Sequence, residues 1–545
     1  MQICDFVLCI VELLMCVGLF FLAKVAEKVK NTKWKLLYVL PFIFVLIMLA
    51  IFEFEISMLP AYLASVTCIV GYYVERPSIR KCISLVAAVL VFLCAVTVDN
   101  NPGYREVDYV GEFEEAFDVM KKHYVLAEHK DIDWDALYAT YHARFEEVKK
   151  QHDPILNVIT WNQFCNEFHD GHVSYATDEK VMRQAAEKMI GNDYGLSLVT
   201  LSDGDTVAVN VEEDSEAYQA GIRNGTVIRK WDGRFLEEVF DEVDMSVMMS
   251  MPLKENEDYY RCILCAGVGG EENVITFIDE NGKEKNVKVG KIGGYYDRFI
   301  ETIEILDQGV VASNLTFTEV TEDTYVLRIK DMQYDTESYQ NGNHTQMQEE
   351  LRNQLNDLKQ KNVQHLIIDI RCNTGGSPQM IMAIAELFAP VGEHSYACVG
   401  VFDKERASYE RDHAGKYKVG DSLRFVGENV WEDRKVTILV NARSISAADH
   451  FAYLMKNLEL ENIKIMGFQT TNASAQAISA VQMTDAMLTY SSIPSLTEDG
   501  EILIDTDGNR KGGIELDEKV DLNQEAIKVL FDEGEDYLLI KALEQ

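Results

Sequence analysis

Basic side chains are scarce in this sequence. Its 545 residues carry 51 Lys+Arg against 89 Asp+Glu, a formal net charge of −38. Residues 1–98 hold 8 Lys+Arg and 6 Asp+Glu, a balance of +2, so the rest of the chain carries −40. Nucleic-acid binding needs a basic surface, and this deficit argues against nucleic acid as a partner. The length predicts more than one domain.

Paired cysteines are also scarce. Cys262 and Cys265 form a lone Cys-x-x-Cys with no second pair, so the sequence predicts no metal site and no cofactor. The cysteines after residue 98 are odd in number and do not resemble a disulfide framework. We expect these five to be mostly buried free thiols: Cys165, Cys262, Cys265, Cys372 and Cys398.

Four apolar runs fill the first hundred residues. Each is about as long as a helix that crosses roughly 30 Å of hydrocarbon. The first lacks the basic leader and small-residue cleavage site of a signal peptide. We therefore expect residues 1–98 to be a four-span transmembrane region in contact with a lipid bilayer. The runs are Ile3–Ala23, Leu36–Phe52, Ile56–Val74 and Cys82–Val98.

Lysine and arginine residues mark two of the loops between these runs. One loop extends from Lys24 to Lys35 and the other from Arg76 to Lys81. The positive-inside rule assigns both loops to the cytoplasm, so everything after Asp99 is expected outside. The predicted localisation is a multi-pass cell-membrane protein whose catalytic domain is extracytoplasmic. No run carries a residue pattern that supports more than anchoring.

The stretch from Val436 to His450 combines a strand with the start of a helix. A β-branched run, Val436 to Val440, predicts a buried strand, and the apolar spacing after Ala447 predicts a helix. Ser446 lies at the junction, where free backbone N–H groups and the helix dipole favour negative charge. A serine in that position is either a nucleophile or an N-cap.

A second stretch narrows this choice. The run QHLIIDIRCNTGG, residues 364–376, predicts another buried strand that ends in a Gly pair. Glycines there let the backbone approach a substrate and direct N–H groups at it. This run, followed some 70 residues later by SISAAD, residues 444–449, resembles the tail-specific, or C-terminal processing, serine peptidases. The resemblance makes Ser446 the nucleophile, with Ala447 and Gly375 or Gly376 as oxyanion donors.

The resemblance also implies a domain organisation. Residues 300–532 are expected to form an α/β peptidase core of the ClpP/crotonase-like kind, preceded by an N-terminal helical segment at residues 104–185. Residues 190–292 are similar to a PDZ domain inserted between them. PDZ domains bind peptide C-termini, and by resemblance Gly195, Leu196 and Ser197 would hold that carboxylate. A small β-domain without a ligand is the alternative.

The general base departs from the commonest family pattern. Those members use a lysine about 25 residues after the nucleophile, a position held here by Ala473; Lys464 is a poor substitute. Relatives similar to the tricorn protease use a histidine before the inserted domain, oriented by a late acid. His172 matches that histidine, although a histidine after a Gly turn is commonly structural. Arg510 holds the expected acidic position, which leaves three acid candidates: Asp505, Asp507 and Glu515.

The predicted function is that of a membrane-anchored serine endopeptidase. It would hydrolyse peptide bonds of exported protein substrates through an acyl-enzyme on Ser446, and could select their C-termini. Two other functions stay open at this point. One is a catalytically inactive, PDZ-bearing peptide sensor, and the other is a small-molecule carrier similar to the retinoid-binding proteins of the eye.

Overall fold

A computed structural model describes residues 11, 13–21, 37–51, 59–74, 76–99, 107–248, 253–308, 314–432 and 434–545. The chain divides into two compact units, Met1–Asp108 and Tyr109–Gln545. Four of the five expected thiols, Cys165, Cys262, Cys265 and Cys398, are buried and free, as predicted. Cys372 is free and half-buried.

Three apolar helices have defined bounds within the described part of the first unit. They are α1 (Leu40–Ile51), α2 (Leu59–Tyr73) and α3 (Pro77–Asp99). None of the helices in the described part of the chain is long and apolar enough to cross a membrane, so the predicted spans are not supported. Most of the run Ile3–Ala23, and the whole Lys24–Lys35 loop, lie outside the described residues.

The second unit begins with four helices around an aromatic core. Asp133 accepts a hydrogen bond from the Ala136 N–H at 3.0 Å and caps the second of them. Phe113 and Trp161 are almost fully buried between these helices. The elements are α4 (Tyr109–His123), α5 (Trp134–Gln151), α6 (Pro154–Asn166), β1 (Ser174–Ala176) and α7 (Glu179–Ile190).

Short strands and helices follow between residues 192 and 294. Asn281 and Gly282 form a hairpin turn, in which Gly282 has φ +74° and lies between two antiparallel strands. A four-stranded sheet in the order β6-β5-β7-β8 is the largest here. The elements are β2 (Asn192–Asp193), β3 (Ser197–Thr200), β4 (Thr206–Val209), α8 (Glu216–Gln219), β5 (Ile228–Trp231), β6 (Arg234–Phe235), α9 (Leu236–Phe240), the 3₁₀ turn Met245–Met248, α10 (Lys254–Cys265), β7 (Glu272–Ile278), β8 (Glu284–Gly290) and β9 (Gly293–Gly294).

The part expected to form the α/β core is built on a six-stranded sheet in the order β10-β11-β12-β17-β18-β22. Strands β11 and β12 run parallel, and the connection between them contains two helices, α12 and α13. Only β10 is antiparallel to its neighbour. The elements that form this sheet and cover it are α11 (Tyr296–Asp307), β10 (Thr316–Thr321), β11 (Thr324–Arg328), α12 (Thr336–Asn341), α13 (Thr345–Gln360), β12 (His365–Asp369), α14 (Pro378–Ala385), β17 (Lys435–Leu439), α15 (Ala447–Lys456), β18 (Ile463–Gly467) and β22 (Glu518–Lys519).

Smaller sheets and the C-terminal helices complete the unit. Strands β13, β16 and β21 form one sheet, and β19 and β20 pair with β1 in another. The remaining elements are β13 (Gly392–Gly400), β14 (Phe402–Asp403), β15 (Ser408–Tyr409), β16 (Val419–Gly427), β19 (Ala477–Gln482), β20 (Met487–Ile493), β21 (Ser495–Leu496), α16 (Gln524–Ile527), the π-helical turn Lys528–Glu533 and α17 (Tyr537–Leu543).

The register of β12 and β17 determines where their loops meet. Ile368 pairs with Ile438 and Asp369 with Leu439, so the two parallel strands end side by side. Both isoleucines are fully buried, and each such burial is worth roughly 1.5–3 kcal/mol. The loops after these strands therefore leave the same edge of the sheet, which is where α/β folds commonly bind ligands.

Candidate active site

Ser446 lies between β17 and α15 with an unusual backbone. Its φ is +62° and its ψ −117°, and its side chain makes no capping hydrogen bond. Non-Gly residues in such regions cost about 1–3 kcal/mol and persist only where the surroundings hold them. Here the Ser446 N–H donates to the Ser474 carbonyl at 2.8 Å. The N-cap interpretation is therefore wrong, and the hydroxyl is left available for chemistry.

Gly375 lies directly against this serine. A Cβ at this position would be 2.6 Å from the Ser446 Cβ and 2.8 Å from the Ala447 nitrogen, and its φ is +90°. Gly376 has φ +145°, and a Cβ there would clash with the Met332 carbonyl. Both positions require glycine, because a side chain would be strained and would overlap the neighbouring loop.

Two of the three predicted oxyanion donors are free. The Gly375 N–H donates to the Asn373 side-chain oxygen at 2.8 Å, so it is already used. Within the described residues, no acceptor is found for the N–H of Gly376 or of Ala447. Ala447 is also the first residue of α15, where the helix dipole favours negative charge. The geometry thus favours Gly376 and Ala447 as the donor pair.

A cavity of about 500 Å³ joins these groups. Ser446, Ala447 and both glycines line it, together with two histidines, His172 and His450. None of the residues that line it carries a permanent charge. The structure therefore brings the predicted nucleophile, histidine and oxyanion donors together in one place.

His172 is held in a tight turn before β1. Its N–H donates to the Asp170 carboxylate at 2.9 Å, and its carbonyl accepts from the Thr489 hydroxyl at 2.9 Å. The side chain is buried, and its Nδ1 has no partner among the described residues. Burial lowers the pKa of His172, opposed by the negative charge of Asp170. The imidazole is thus neutral near pH 7, the form that a general base needs.

None of the three candidate acids lies in the cavity. Asp505 is buried and forms an ion pair with Lys130 at 2.6 Å. Asp507 accepts backbone N–H groups of its own loop, and the Glu515 side chain is 90% exposed beside Lys456. None of the three forms a hydrogen bond with His172 in the described structure, so the structure does not support any of them as its partner.

Asp170 is the acid whose negative charge raises the pKa of His172 against the effect of burial. Its carboxylate also accepts hydrogen bonds from the hydroxyls of Tyr124 at 3.0 Å and Ser491 at 2.8 Å. These bonds fix the carboxylate next to the histidine turn. Sequence reasoning missed this role, although the Asp-Gly-His spacing was visible. The family pattern implies an acid late in the sequence, whereas Asp170 lies two positions before the histidine.

Arg510, which holds the position where the resemblance implies an acid, does not line the serine cavity. Its guanidinium forms an ion pair with Glu257 of α10. A polar cavity outside the serine site contains this pair.

The lysine base of other members has no counterpart here. Ala473 is fully buried, and its N–H donates to the Asp449 carboxylate at 3.1 Å. Lys464 is exposed on β18 and does not line the cavity. The expectation that Lys464 is a poor substitute agrees with this placement.

The predicted carboxylate loop of the inserted region lies away from the serine cavity. The Gly195 N–H donates to the Asp193 carboxylate at 2.8 Å, and that carboxylate pairs with Arg298 at 2.8 Å. Leu196 and Ser197 are fully buried, and the Ser197 hydroxyl is hydrogen-bonded to Tyr295. The chain's own groups thus occupy the Gly195 donor and the Ser197 hydroxyl, and peptide binding there stays a prediction.

Residues 323–520 match the model of peptidase family S41, and residues 106–154 match that of the tricorn protease C1 domain. No curated protein matches the sequence. The predicted enzyme class is confirmed by the S41 match: the protein is a serine-type peptidase.

Solved structures resemble the chain in fold. The structure of mature CPAF complexed with lactacystin has a TM-score of 0.50 and 13% identity, over 80% of this chain and 98% of that one. The photosystem II D1 C-terminal processing protease has a TM-score of 0.34 and 16% identity, over 79% and 98%. The tricorn protease has 0.33 and 16%, over 80% and 36%. Identities this low show the fold alone, and that rests on the first structure.

Replacement of Gly375 by alanine tests the contact with the nucleophile. Because the new methyl group would overlap Ser446 and the Ala447 nitrogen, we expect hydrolysis of casein to fall about 100-fold or more, the scale of losing an oxyanion donor. The matched control is Gly204→Ala, where φ is +94° but no atom lies within 4 Å of a Cβ. Equal losses in the two variants would show that backbone strain alone is responsible.

Proposed function

We propose that the protein is a membrane-anchored serine endopeptidase that cleaves exported protein substrates through an acyl-enzyme on Ser446. The observation that carries this proposal is the strained, uncapped Ser446, which shares one cavity with His172, Gly376 and Ala447. A nucleophile, a neutral imidazole and two free N–H donors are the groups that acyl transfer requires.

In the acylation step, His172 accepts the hydroxyl proton of Ser446 as Oγ bonds to the substrate carbonyl carbon. The carbonyl π electrons move to oxygen, and the N–H groups of Gly376 and Ala447 stabilise that oxyanion. One such donor can be worth roughly 3–4 kcal/mol of the barrier. When the C–N bond breaks, the imidazolium returns its proton to the leaving amine.

Deacylation repeats these steps with water. His172 removes a proton from a water molecule as its oxygen bonds to the acyl carbon, and the same donors hold the second oxyanion. The C–Oγ bond then breaks, and Ser446 regains its proton from the imidazolium. Both steps create a transient charge on His172, which the fixed negative charge of Asp170 stabilises.

An inactive peptide sensor is less well supported. The absence of a late acid beside His172 favours it, but a serine without catalytic use has no reason to adopt a strained backbone without a cap. The Gly195 donor and the Ser197 hydroxyl of the carboxylate loop are also already occupied. Strain at Ser446 therefore favours the enzyme over the sensor.

Membrane anchoring is supported by exposed apolar surface on the first unit. Half-exposed apolar side chains cover α2 and α3, a pattern unusual for a surface in water. They are Leu63, Val66, Val70, Leu85, Val86, Val89 and Phe92. With the basic residues of the two segments Lys24–Lys35 and Arg76–Lys81, this surface supports an anchor with the peptidase on the outside.

A topology experiment tests the localisation. A reporter fused after Asp99 is expected to show activity that requires a location outside the cytoplasmic membrane. A reporter placed in the Lys24–Lys35 loop is expected to show activity that requires a location in the cytoplasm. A reporter after Asp99 that is active in the cytoplasm would overturn both the localisation and the exported substrate class.

Labelling by a peptidyl phosphonate tests the nucleophile. Ser446→Ala should abolish labelling and casein hydrolysis together, because the attacking oxygen is removed. Ser444→Ala is the matched control, since its hydroxyl donates to the Ile370 carbonyl at 2.8 Å and is fully buried. It should lower the unfolding temperature but keep labelling. Phosphonate found on Ser444 would contradict the assignment.

The pH dependence tests the base. Because burial lowers the pKa of His172, the neutral form persists below the reference value of about 6.5. The acid limb of kcat/KM should therefore have its midpoint below pH 6.5. Asp170→Asn removes a charge that raises this pKa, so it should shift the midpoint to still lower pH.

His172→Ala removes the proposed base itself. It should reduce turnover on the order of 100-fold or more, as expected for the loss of a general base. Lys464→Ala serves as its control and should have little effect. A His172→Ala variant with near-full turnover, or an acid limb well above pH 6.5, would contradict the role of His172.

A further inference from the structure

His450 is a second buried histidine at the cavity, and the acyl transfer described above does not use it. It lies one helical turn after Ser446 on α15, and its side chain borders the same cavity. Its Nδ1 is 2.5 Å from the Tyr396 hydroxyl, and the two rings meet edge to face. Its Nε2 is fully buried and has no partner among the described residues.

The number of buried groups left without a hydrogen bond indicates which ring nitrogen of His450 carries the proton. If the Tyr396 hydroxyl donates to Nδ1, the imidazole proton is on Nε2 and only that N–H lacks a partner. If Nδ1 donates instead, both the Tyr396 proton and the Nε2 lone pair lack partners. Each unmet buried group costs about 1–3 kcal/mol, so the first arrangement is favoured. His450 thus carries an Nε2–H without a partner among the described residues, on a side chain that lines the cavity.

The imidazole stays neutral in this setting. Burial, together with the nearby His172, lowers the pKa of His450 to about 3. Burial also raises the pKa of Tyr396, so its hydroxyl keeps its proton. The cavity lining has no carboxylate, ammonium or guanidinium group. A charged side chain entering the cavity would lose its hydration without an opposite charge to replace it.

The position of the oxyanion hole determines which residue of the substrate lies close to this donor. The carbonyl held by Gly376 and Ala447 belongs to the substrate residue on the acyl side of the scissile bond. Its side chain is attached to the atom next to that carbonyl carbon and so enters the same cavity. Val399 and Leu423 provide apolar walls there, and His450 and Tyr396 provide the polar part.

We infer that His450 is a specificity-determining residue, whose Nε2–H binds an uncharged oxygen acceptor in the substrate side chain on the acyl side. The enzyme therefore selects Asn, Gln, Ser or Thr at that position over aliphatic residues of equal size. This inference rests on the proposed function, because it needs cleavage at Ser446.

Matched peptides test the inference. The full chain in detergent is first used to map one cleavage site in unfolded β-casein by mass spectrometry. Internally quenched peptides of that sequence then differ only at the acyl-side residue, as the near-isosteric pairs Asn/Leu and Thr/Val. We expect kcat/KM to be about tenfold or more higher for Asn and Thr, since a site with a buried donor disfavours a partner that cannot accept.

Two variants of one residue separate the ring nitrogens. His450→Gln keeps an N–H near the Nε2 position and should retain the preference. His450→Asn keeps only an atom near Nδ1 and should reduce the Asn/Leu and Thr/Val ratios to within about threefold of one. Phosphonate labelling of Ser446 and thermal unfolding verify that each variant is folded. If His450→Asn fails to fold, the wild-type and His450→Gln ratios decide.

The outcomes also separate this inference from the proposed function. A wild type that cleaves casein and is labelled on Ser446, but has ratios near one, overturns the inference alone. So does a folded His450→Asn variant with unchanged ratios. A wild type that neither cleaves casein nor takes up the phosphonate overturns the proposed function and the inference together.

Discussion

One buried amide joins the two loops of the site. The side-chain oxygen of Asn373 accepts a hydrogen bond from the Gly375 N–H at 2.8 Å, and its side-chain NH₂ group donates to the Ile329 carbonyl at 2.9 Å. The backbone carbonyl of Asn373 accepts a hydrogen bond from the Ile445 N–H at 2.9 Å. The first bond fixes the Gly pair, and the last fixes the residue before the nucleophile. Because Asn373 is fully buried, a lost partner would leave a costly unmet group. The Gly–Ser contact, and hence the oxyanion hole, depends on this residue.

The histidine side of the cavity is held by a buried ion pair. Lys130 pairs with Asp505 at 2.6 Å and also donates to the His169 carbonyl at 3.0 Å, three residues before His172. Removing one partner of such a pair is costly, because it leaves an uncompensated buried charge. Asp505, predicted as a catalytic acid, thus acts at a distance, by holding the histidine turn. The carboxylate beside His172 is Asp170, which reaches the imidazole through its charge.

Local patterns predicted the elements that need no distant partner. The strand before Gly375, the junction at Ser446 and the Asp133 cap follow from periodicity and capping rules that act over a few residues. Asp170 and His450 could not be predicted in this way, since their roles arise from Tyr124, Ser491 and Tyr396, which are distant in sequence. Apolar length predicted membrane spans that the described helices do not support. The family pattern implies an acid late in the sequence as the partner of His172, whereas the carboxylate beside that histidine belongs to Asp170.

The central claim is that Ser446 becomes acylated with the oxyanion held by the Gly–Ser contact. The most direct measurement is the mass of the full chain quenched in acid while it hydrolyses an activated acyl ester, followed by peptide mapping. The account predicts a mass increase equal to the acyl group, located on Ser446 and absent from the Ser446→Ala variant. Turnover of the ester without an adduct on Ser446, or an adduct on another residue, would contradict it.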